Sequence, residues 1–159
     1  MKSRMGLLSL VWCAVLCGCQ TGQRSSSESV PEGTPAFELR LASAQAMAGW
    51  KEMPVRGGGT LLVCPQPLLT PSQISKAAFG KNDGDSLILN VREGSRGTLQ
   101  AISGEHMKKP IVFLIDGQAV YMAVLGMPLS RQVSIRVGPD GITEAEAKYC
   151  LQAVKDAGR

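Results

Sequence analysis

The chain has 159 residues, of which 44% are hydrophobic and 4% aromatic, and its formal net charge is +4. This length suits one domain of ordinary size with short extensions. The basic residues are scattered, with Lys108 and Lys109 as the one local pair, and few aromatic side chains are present to stack on bases. The composition therefore argues against a nucleic-acid partner.

The first 18 residues have the organisation of a signal peptide. Lys2 and Arg4 precede an apolar stretch over 5–16, which is shorter than the about 20 residues that a membrane-spanning helix needs. The stretch ends in LCGC at 16–19, which resembles the lipobox of bacterial lipoproteins, a Leu, two small residues and the lipidated Cys. The resemblance implies cleavage before Cys19, a diacylglyceryl group on its sulfur and an acyl group on its new amine. An ordinary cleaved signal peptide, which would release a soluble protein, is the alternative.

The residues after Cys19 are predicted to place and tether the domain. The next residue is Gln20 rather than Asp, which by the sorting habit of many Gram-negative lipoproteins favours the outer membrane, facing the periplasm. Residues 20–35 are rich in Ser, Gly, Glu and Pro, with Val30 as the only hydrophobic side chain, and therefore predict a flexible tether. Loss of the signal peptide lowers the net charge to about +2 and leaves 36–159 as a single predicted domain.

The first half of the domain is predicted to contain two strands and a helix. Residues 37–41 alternate between apolar and polar, which is typical of a half-buried strand. The apolar run at 61–64 predicts a second strand, stopped by Pro65 and Pro67. Thr70 as N-cap and Pro71 at the first helical position predict a helix that ends at Gly80. Its apolar face would consist of Ile74, Ala77 and Ala78, and a turn would follow at 82–85.

The second half is predicted to contain four strands and two helices. The strands cover 86–91, 111–115, 118–125 and 133–137, and the first helix lies within 93–107. The run at 111–115 is the most hydrophobic of the domain and predicts a central strand buried on both faces. Asp116-Gly117 predicts a tight turn, and Thr143 with Glu146 has the spacing of a capping box. Hairpin-linked strands with helices predict an α+β fold, a mostly antiparallel sheet with helices packed on one face.

Candidate catalytic residues are few and have structural explanations. His106 is the only histidine and is flanked by charged residues, which is typical of a solvated surface position. Asp116 is explained by its turn, and Glu144 and Glu146 by the start of a helix, where negative charge is favourable. No serine lies in a nucleophile-elbow context, and the spacing of His and Cys indicates no metal site and no cofactor. The sequence therefore predicts a protein that is not an enzyme.

Cys64 and Cys150 are the only cysteines that remain after the lipidated Cys19. An even number of thiols in an oxidising compartment favours a disulfide between them. Cys64 would end a core strand, and Cys150 would lie on the inward face of the last helix, so the bridge is geometrically reasonable. The alternative is a pair of small buried side chains, since free cysteines are often buried.

Four stretches, taken in order, resemble the head part of the first periplasmic domain of SecD, the protein-export accessory subunit. They are LLTPSQI at 68–74, LILNVREG at 87–94, IVFLIDGQAV at 111–120 and ITEAEA at 142–147. The resemblance covers about 61–158 and implies a head-like α+β fold with a surface that touches other polypeptides. SecD couples proton flow to pulling through transmembrane helices and membrane carboxylates. We expect no motor function in this polypeptide, because it lacks these helices and most of the base of that periplasmic domain.

Two functions fit these features. The first is a lipid-anchored, non-catalytic module that binds a peptide or an envelope protein through an open strand edge within 118–137, with Met122 or Met127 as adaptable contacts. The second is a small ligand-binding lipoprotein or enzyme whose site uses scattered residues such as His106 or Asp116. A concave apolar pocket with convergent polar groups would favour the second function.

Overall fold

Eight strands and two helices make up the part of the chain that the computed structural model describes, residues 33–80 and 85–159. The predicted signal peptide, Cys19, residues 20–32 of the predicted tether and most of the predicted turn at 82–85 lie outside these ranges. No helix within them is long and apolar enough to cross a membrane. The elements are β1 (Phe37–Ser43), β2 (Lys51–Pro54), β3 (Thr60–Leu69), β4 (Ile74–Phe79), β5 (Ser86–Val91), α1 (Glu93–Glu105), β6 (Pro110–Ile115), β7 (Gln118–Val124), β8 (Gln132–Arg136) and α2 (Glu144–Ala157).

Five of the strands form an antiparallel sheet in the order β2-β3-β1-β6-β7, which curls into a half-barrel. β6 lies between β1 and β7 and is buried from Ile111 to Ile115, which confirms the predicted central strand. Its turn into β7 is the predicted Asp116-Gly117 pair, with φ of 48° and 79°. Both angles are positive, as a two-residue hairpin turn of type I′ requires, and Gly117 adopts such a φ without steric cost. At one end of the half-barrel, Val55 bridges Ala119, so the two outermost strands approach each other there.

The inner face of the half-barrel combines a small apolar cluster with an ion pair. Arg40 pairs with Glu38, which is only 3% exposed. Arg40 also donates a hydrogen bond of 3.3 Å to the carbonyl oxygen of Cys64. A carboxylate at this depth is tolerated because it is paired and hydrogen-bonded. The buried apolar side chains of this cluster are Ala42, Val55, Val63, Val112, Leu114 and Ala119.

The outer face of the half-barrel belongs to the main core, which a second sheet and both helices complete. The second sheet is antiparallel in the order β4-β5-β8. The rings of Phe37 in β1 and Phe113 in β6 pack against each other at a centroid distance of 5.5 Å, tilted by 35°. α1 contributes Leu99 and α2 contributes the small side chains that allow close packing. The α2 residues with buried side chains are Ala147, Cys150 and Val154.

Local sequence signals explain where α2 begins. The Thr143 side chain accepts a hydrogen bond of 3.2 Å from the Glu146 amide, and the Glu146 carboxylate accepts one of 2.7 Å from the Thr143 amide. This is the predicted capping box, and it satisfies two amides that a helix start leaves without intrahelical partners. α1 lies within the predicted 93–107 and buries Ser103 besides its apolar residue.

The predicted helix beginning at Pro71 is wrong. Only Pro71–Gln73 is helical, as one 3-10 turn, and the chain then continues as strand β4. Ile74, Ala77 and Ala78 have helical spacing, but pairing with β5 places them in an antiparallel ladder instead. Tertiary pairing of this kind overrides a short periodic pattern.

The prediction that Pro65 and Pro67 stop a strand is also wrong. β3 runs through both prolines to Leu69. Its register with β1 shifts on either side of Arg40, which lies opposite Pro67. At such an irregularity the regular pattern of ladder hydrogen bonds is interrupted. Proline is tolerated there because its missing amide hydrogen is not needed. The α+β fold with mostly antiparallel strands is confirmed, and its strands divide into two sheets.

Candidate functional site

β7 is an edge strand along most of its length. Its inner edge pairs with β6, with Met122 opposite Val112 and Val124 opposite Pro110. Its outer edge meets another strand only at Ala119, through the bridge to Val55. Beyond Ala119 the outer edge has no strand partner among the residues that the structure describes.

The backbone groups on this outer edge can be assigned from the ladder. The Leu125 amide donates a hydrogen bond of 3.0 Å to the Lys109 carbonyl. Hydrogen-bonded and non-bonded pairs alternate along an antiparallel ladder, so the neighbouring pair of Val124 with Pro110 is non-bonded. Pro110 fits that position because it has no amide hydrogen to donate. Two residues further back, Met122 is also in a non-bonded pair, so Met122 and Val124 direct their N–H and C=O groups outward.

The same residues expose their side chains. Met122 is 44% exposed, Val124 64% and Met127, shortly after the strand, 72%. Met122 and Val124 are on the sheet face of Val112, the inner face of the half-barrel, because residues in register share a face. We call Met122–Val124 together with Met127 the open edge. It combines unpaired backbone groups with a strip of apolar side chains.

A polar cleft of about 620 Å³ lies between β7 and β8. Tyr121, on the opposite face of β7 from Met122, forms one side of it, and Ser134 and Arg136 of β8 form the other. Asp85 and Asp140 also line the cleft, and neither forms an ion pair with a residue in 33–80 or 85–159. Among the described residues that line this polar cleft, two aspartates and one arginine give one net negative charge.

His106 and Asp116, the candidates for chemistry, lie in different cavities. Nδ1 of His106 is 2.9 Å from the Ile102 carbonyl oxygen, and the ring borders a cavity of about 300 Å³ beside Trp50. Asp116 borders another cavity, of about 480 Å³, where Oδ1 accepts a hydrogen bond of 2.8 Å from the Tyr149 hydroxyl. The structure therefore does not bring the two residues together.

The polar groups around Asp116 are partners of one another. Arg56 holds the Glu146 carboxylate, with one hydrogen bond of 3.0 Å and a second contact. The hydrogen bond from Arg56 lowers the pKa of Glu146 to about 2. The hydrogen bond to Asp116 raises the pKa of Tyr149. These contacts fasten the loop at Arg56 and the β6–β7 turn to α2. Within the described ranges no group of three His, Cys, Asp or Glu side chains could hold a metal ion.

Cys64 and Cys150 are free thiols in the structure. Cys150 is 0% exposed, and burial raises the pKa of its thiol to about 12. Cys64 is partly buried and packs against the same main core. The predicted disulfide is thus not formed in this structure, and it stays a prediction for the protein in an oxidising compartment.

The sequence indicated an open edge within 118–137 but not the polar cleft beside it. Asp85, Tyr121 and the pair Arg136 and Asp140 come from three separate places in the chain, and no spacing among them marks a shared site. The signal that was present is the apolar content of the chain beyond the β6–β7 turn, where Met122 or Met127 was predicted as an adaptable contact. Both side chains are exposed in the structure.

Two solved structures of SecDF share the fold of this chain. One, of the membrane component SecDF that enhances protein export, matches 75% of this chain and 61% of its own length, with a TM-score of 0.54 and 14% identity. The fold is SecDF-like. A second, of SecDF in its super-membrane-facing form, matches 74% of this chain and 18% of its own length, with a TM-score of 0.51 and 17% identity.

The likeness to SecDF confirms the predicted SecD-like fold and extends no further, because the identities are low. This chain spans 61% and 18% of the two SecDF chains that it matches. No protein family model matches the sequence, and no curated protein matches it.

Proposed function

We propose that this protein is a lipid-anchored, non-catalytic module of the cell envelope that binds extended polypeptides at the open edge, in a role related to protein export. The observation that carries the proposal is that Met122 and Val124 present outward backbone groups and exposed apolar side chains at once. An extended polypeptide satisfies both, since it pairs with the backbone groups of an edge strand and covers its side chains.

The energetics favour a polypeptide over a small ligand at this surface. The outward N–H and C=O groups of Met122 and Val124 are regularly spaced along a strand, which matches another extended backbone. Each hydrogen bond contributes roughly 0.5–1.5 kcal/mol net, so four of them with apolar contacts give weak, reversible binding. Reversible binding suits a module that meets polypeptides in transit.

The envelope setting rests on the N-terminal segment, outside the described residues, and on the SecDF-like fold. A lipid on Cys19 would hold the domain at a membrane surface facing the periplasm, where it would meet exported polypeptides. We propose a non-catalytic role because His106 and Asp116 are apart and Asp116, Arg56, Glu146 and Tyr149 satisfy one another. A binding role needs only the edge and its flanking surfaces.

The test is a proline substitution that removes one outward donor. In Val124→Pro the lost amide is not part of the ladder to β6, and proline is tolerated at the edge of a sheet. The full chain, purified in detergent, is titrated against a fluorescent, permanently unfolded polypeptide such as a reduced and carboxymethylated protein. We expect about three- to tenfold weaker binding for Val124→Pro, in line with one lost hydrogen bond.

Val124→Thr is the matched control, because it keeps the amide and β-branching but alters the side chain. We expect its backbone pairing to be unchanged and its affinity to fall less than that of Val124→Pro. Circular dichroism melts verify that both variants stay folded. Equal affinity of wild type and Val124→Pro, with both folded, would refute the open edge as the binding surface.

A further inference from the structure

A strand added to β7 would have two different surroundings on its two faces. Side chains alternate between the faces of a sheet, and neighbouring strands continue the same pleat. One row of the added strand would therefore lie beside Tyr121 and Ala123, and the other beside Met122 and Val124. One row of side chains would meet a polar surface and the other an apolar surface, so the edge would favour some polypeptide sequences over others.

The row beside Tyr121 faces the polar cleft. Asp85 and Asp140 lie there without an ion pair among the described residues, and Arg136 is the one cation among the residues described as lining the cleft. A basic or neutral polar side chain entering the cleft meets a net negative charge. An acidic side chain meets two aspartates and is disfavoured. The cleft, at about 620 Å³, has room for more than one long side chain.

The row beside Met122 and Val124 meets an apolar surface. These two side chains and Met127 are each more than 40% exposed. Covering apolar surface gains roughly 25 cal/mol per Å², so aliphatic side chains are favoured on this side. Methionine is flexible and fits aliphatic side chains of different shape, which makes the row tolerant of sequence.

We infer that the open edge binds an extended segment in which basic or polar residues alternate with aliphatic ones, with the basic row in the polar cleft and the aliphatic row on the open edge. The inference rests on the proposed function and narrows it to one class of polypeptide. A uniformly apolar segment, or one in which acidic and aliphatic residues alternate, would match the apolar surface but not the polar cleft.

A second copy of this chain fits the edge less well. If β7 paired with β7 of another molecule, the row entering the polar cleft would again be Tyr121 and Ala123. Neither side chain is charged, so Asp85 and Asp140 would be covered without compensation. Charge complementarity therefore favours a heterologous basic segment.

Three fluorescent peptides of equal length test the inference on the full chain purified in detergent, at physiological salt. The first alternates Lys and Val, the second has the same composition in two blocks, and the third alternates Glu and Val. We expect the alternating Lys peptide to bind at least tenfold more tightly than either of the others. In Asp85→Asn/Asp140→Asn we expect the preference for Lys over Glu to fall below threefold, while the preference for alternation persists.

Other outcomes separate this inference from the function on which it rests. Equal binding of the alternating and block peptides, or an unchanged Lys preference in the double variant, would overturn the inference. If the unfolded polypeptide still binds and Val124→Pro weakens it, the proposed function stands without the inference. If sedimentation shows a dimer that Val124→Pro dissociates, the edge is occupied by a second copy and the inference is wrong.

Discussion

The Ser103 hydroxyl accepts a hydrogen bond of 2.8 Å from the Leu129 amide and donates one of 2.6 Å to the Leu99 carbonyl. Ser103 is 0% exposed, so both bonds are shielded from water. This side chain joins α1 to the segment between β7 and β8. It therefore helps fix the position of β8, and with it one wall of the polar cleft.

We expect Ser103→Ala to lower the free energy of unfolding by about 1–3 kcal/mol, because the Leu129 amide loses its acceptor in a shielded place. Denaturant titration measures the change. Thr98→Ala, at an exposed position of the same helix, serves as the control and should change stability by about 0.5 kcal/mol or less. Similar values for both variants would show that water replaces the lost acceptor.

We expect Gly141→Ala to be destabilising. A Cβ at residue 141 would lie 2.1 Å from the Arg136 carbonyl oxygen, which also accepts a 2.9 Å hydrogen bond from the Ile142 amide. Relief of that overlap requires a backbone shift, and overpacking of this kind costs about 1–3 kcal/mol. Gly126→Ala is the matched control, since a Cβ there meets nothing within 4 Å. Thermal melts of equal midpoint for the two variants would contradict the close approach.

The ion pair of Glu146 with Arg56 should stabilise the fold in a pH-dependent way. The pKa of Glu146 is lowered from 4.5 to about 2 by the hydrogen bond from Arg56. A lowered pKa means that the stabilisation is full above about pH 4.5 and is lost as the pH falls towards 2. We expect Glu146→Gln to destabilise at pH 7 by about 1 kcal/mol or less, since the pair is partly exposed.

That difference should shrink as the pH is lowered through 4.5 towards 2, where wild type also becomes protonated. Melts of both proteins at several pH values measure it. Glu52→Gln is the control, because Glu52 is exposed and forms no ion pair within the described residues. A constant difference between wild type and Glu146→Gln from pH 7 to 2.5 would show that the carboxylate charge is not involved.

The two cysteines should differ in reactivity if they are free. Burial and the raised pKa of Cys150 leave little thiolate at pH 8, so we expect iodoacetamide to label Cys64 first and Cys150 only after unfolding. Peptide mapping under non-reducing conditions gives the outcome. A disulfide formed in an oxidising compartment would instead leave neither thiol reactive before reduction, and its long loop would add about 4–5 kcal/mol to stability in the absence of strain.

Lipidation of Cys19 is a separate prediction from the N-terminal sequence. We expect the mature protein to begin at a modified Cys19 and to partition into detergent, whereas Cys19→Ala should remain unprocessed and without the lipid. Mass spectrometry of the N-terminal peptide decides between these forms. A wild-type protein that is cleaved but unmodified and soluble would show that the segment is an ordinary signal peptide.

Elements with strong local signals could be predicted from the sequence. The capping box at Thr143, the Asp116-Gly117 turn and the apolar run of β6 each specify their structure through neighbours in the chain. The helix predicted from Pro71 failed because its apolar face rested on only three positions in a span of nine residues. Such a short pattern fits a helix or a strand, and pairing with β5 decided between them. β2 was missed because Lys51–Pro54 is mostly exposed and shows no clear alternation.

Less of the candidate site than of the fold could be predicted from the sequence. Sequence reasoning placed an open edge after the β6–β7 turn but could not decide whether Met122 is covered. Its exposure follows from β7 being last in the sheet order, which depends on long-range pairing among β1, β3 and β6. The polar cleft depends in addition on how the two sheets pack, and that arrangement has no local signal.

The strand directions give the domain a mechanical polarity. β1 and β7 are each antiparallel to β6, so they run in the same direction. Phe37 at the start of β1 and Gln118 at the start of β7 therefore lie at one end, and Val124 lies roughly 20 Å away along the strands. A membrane attachment that precedes Phe37 would hold the domain by the end opposite its open edge. Tension between that attachment and a strand bound at the edge would run along the strands. The hydrogen bonds of the ladder are perpendicular to this direction, so they would resist the tension together, in shear.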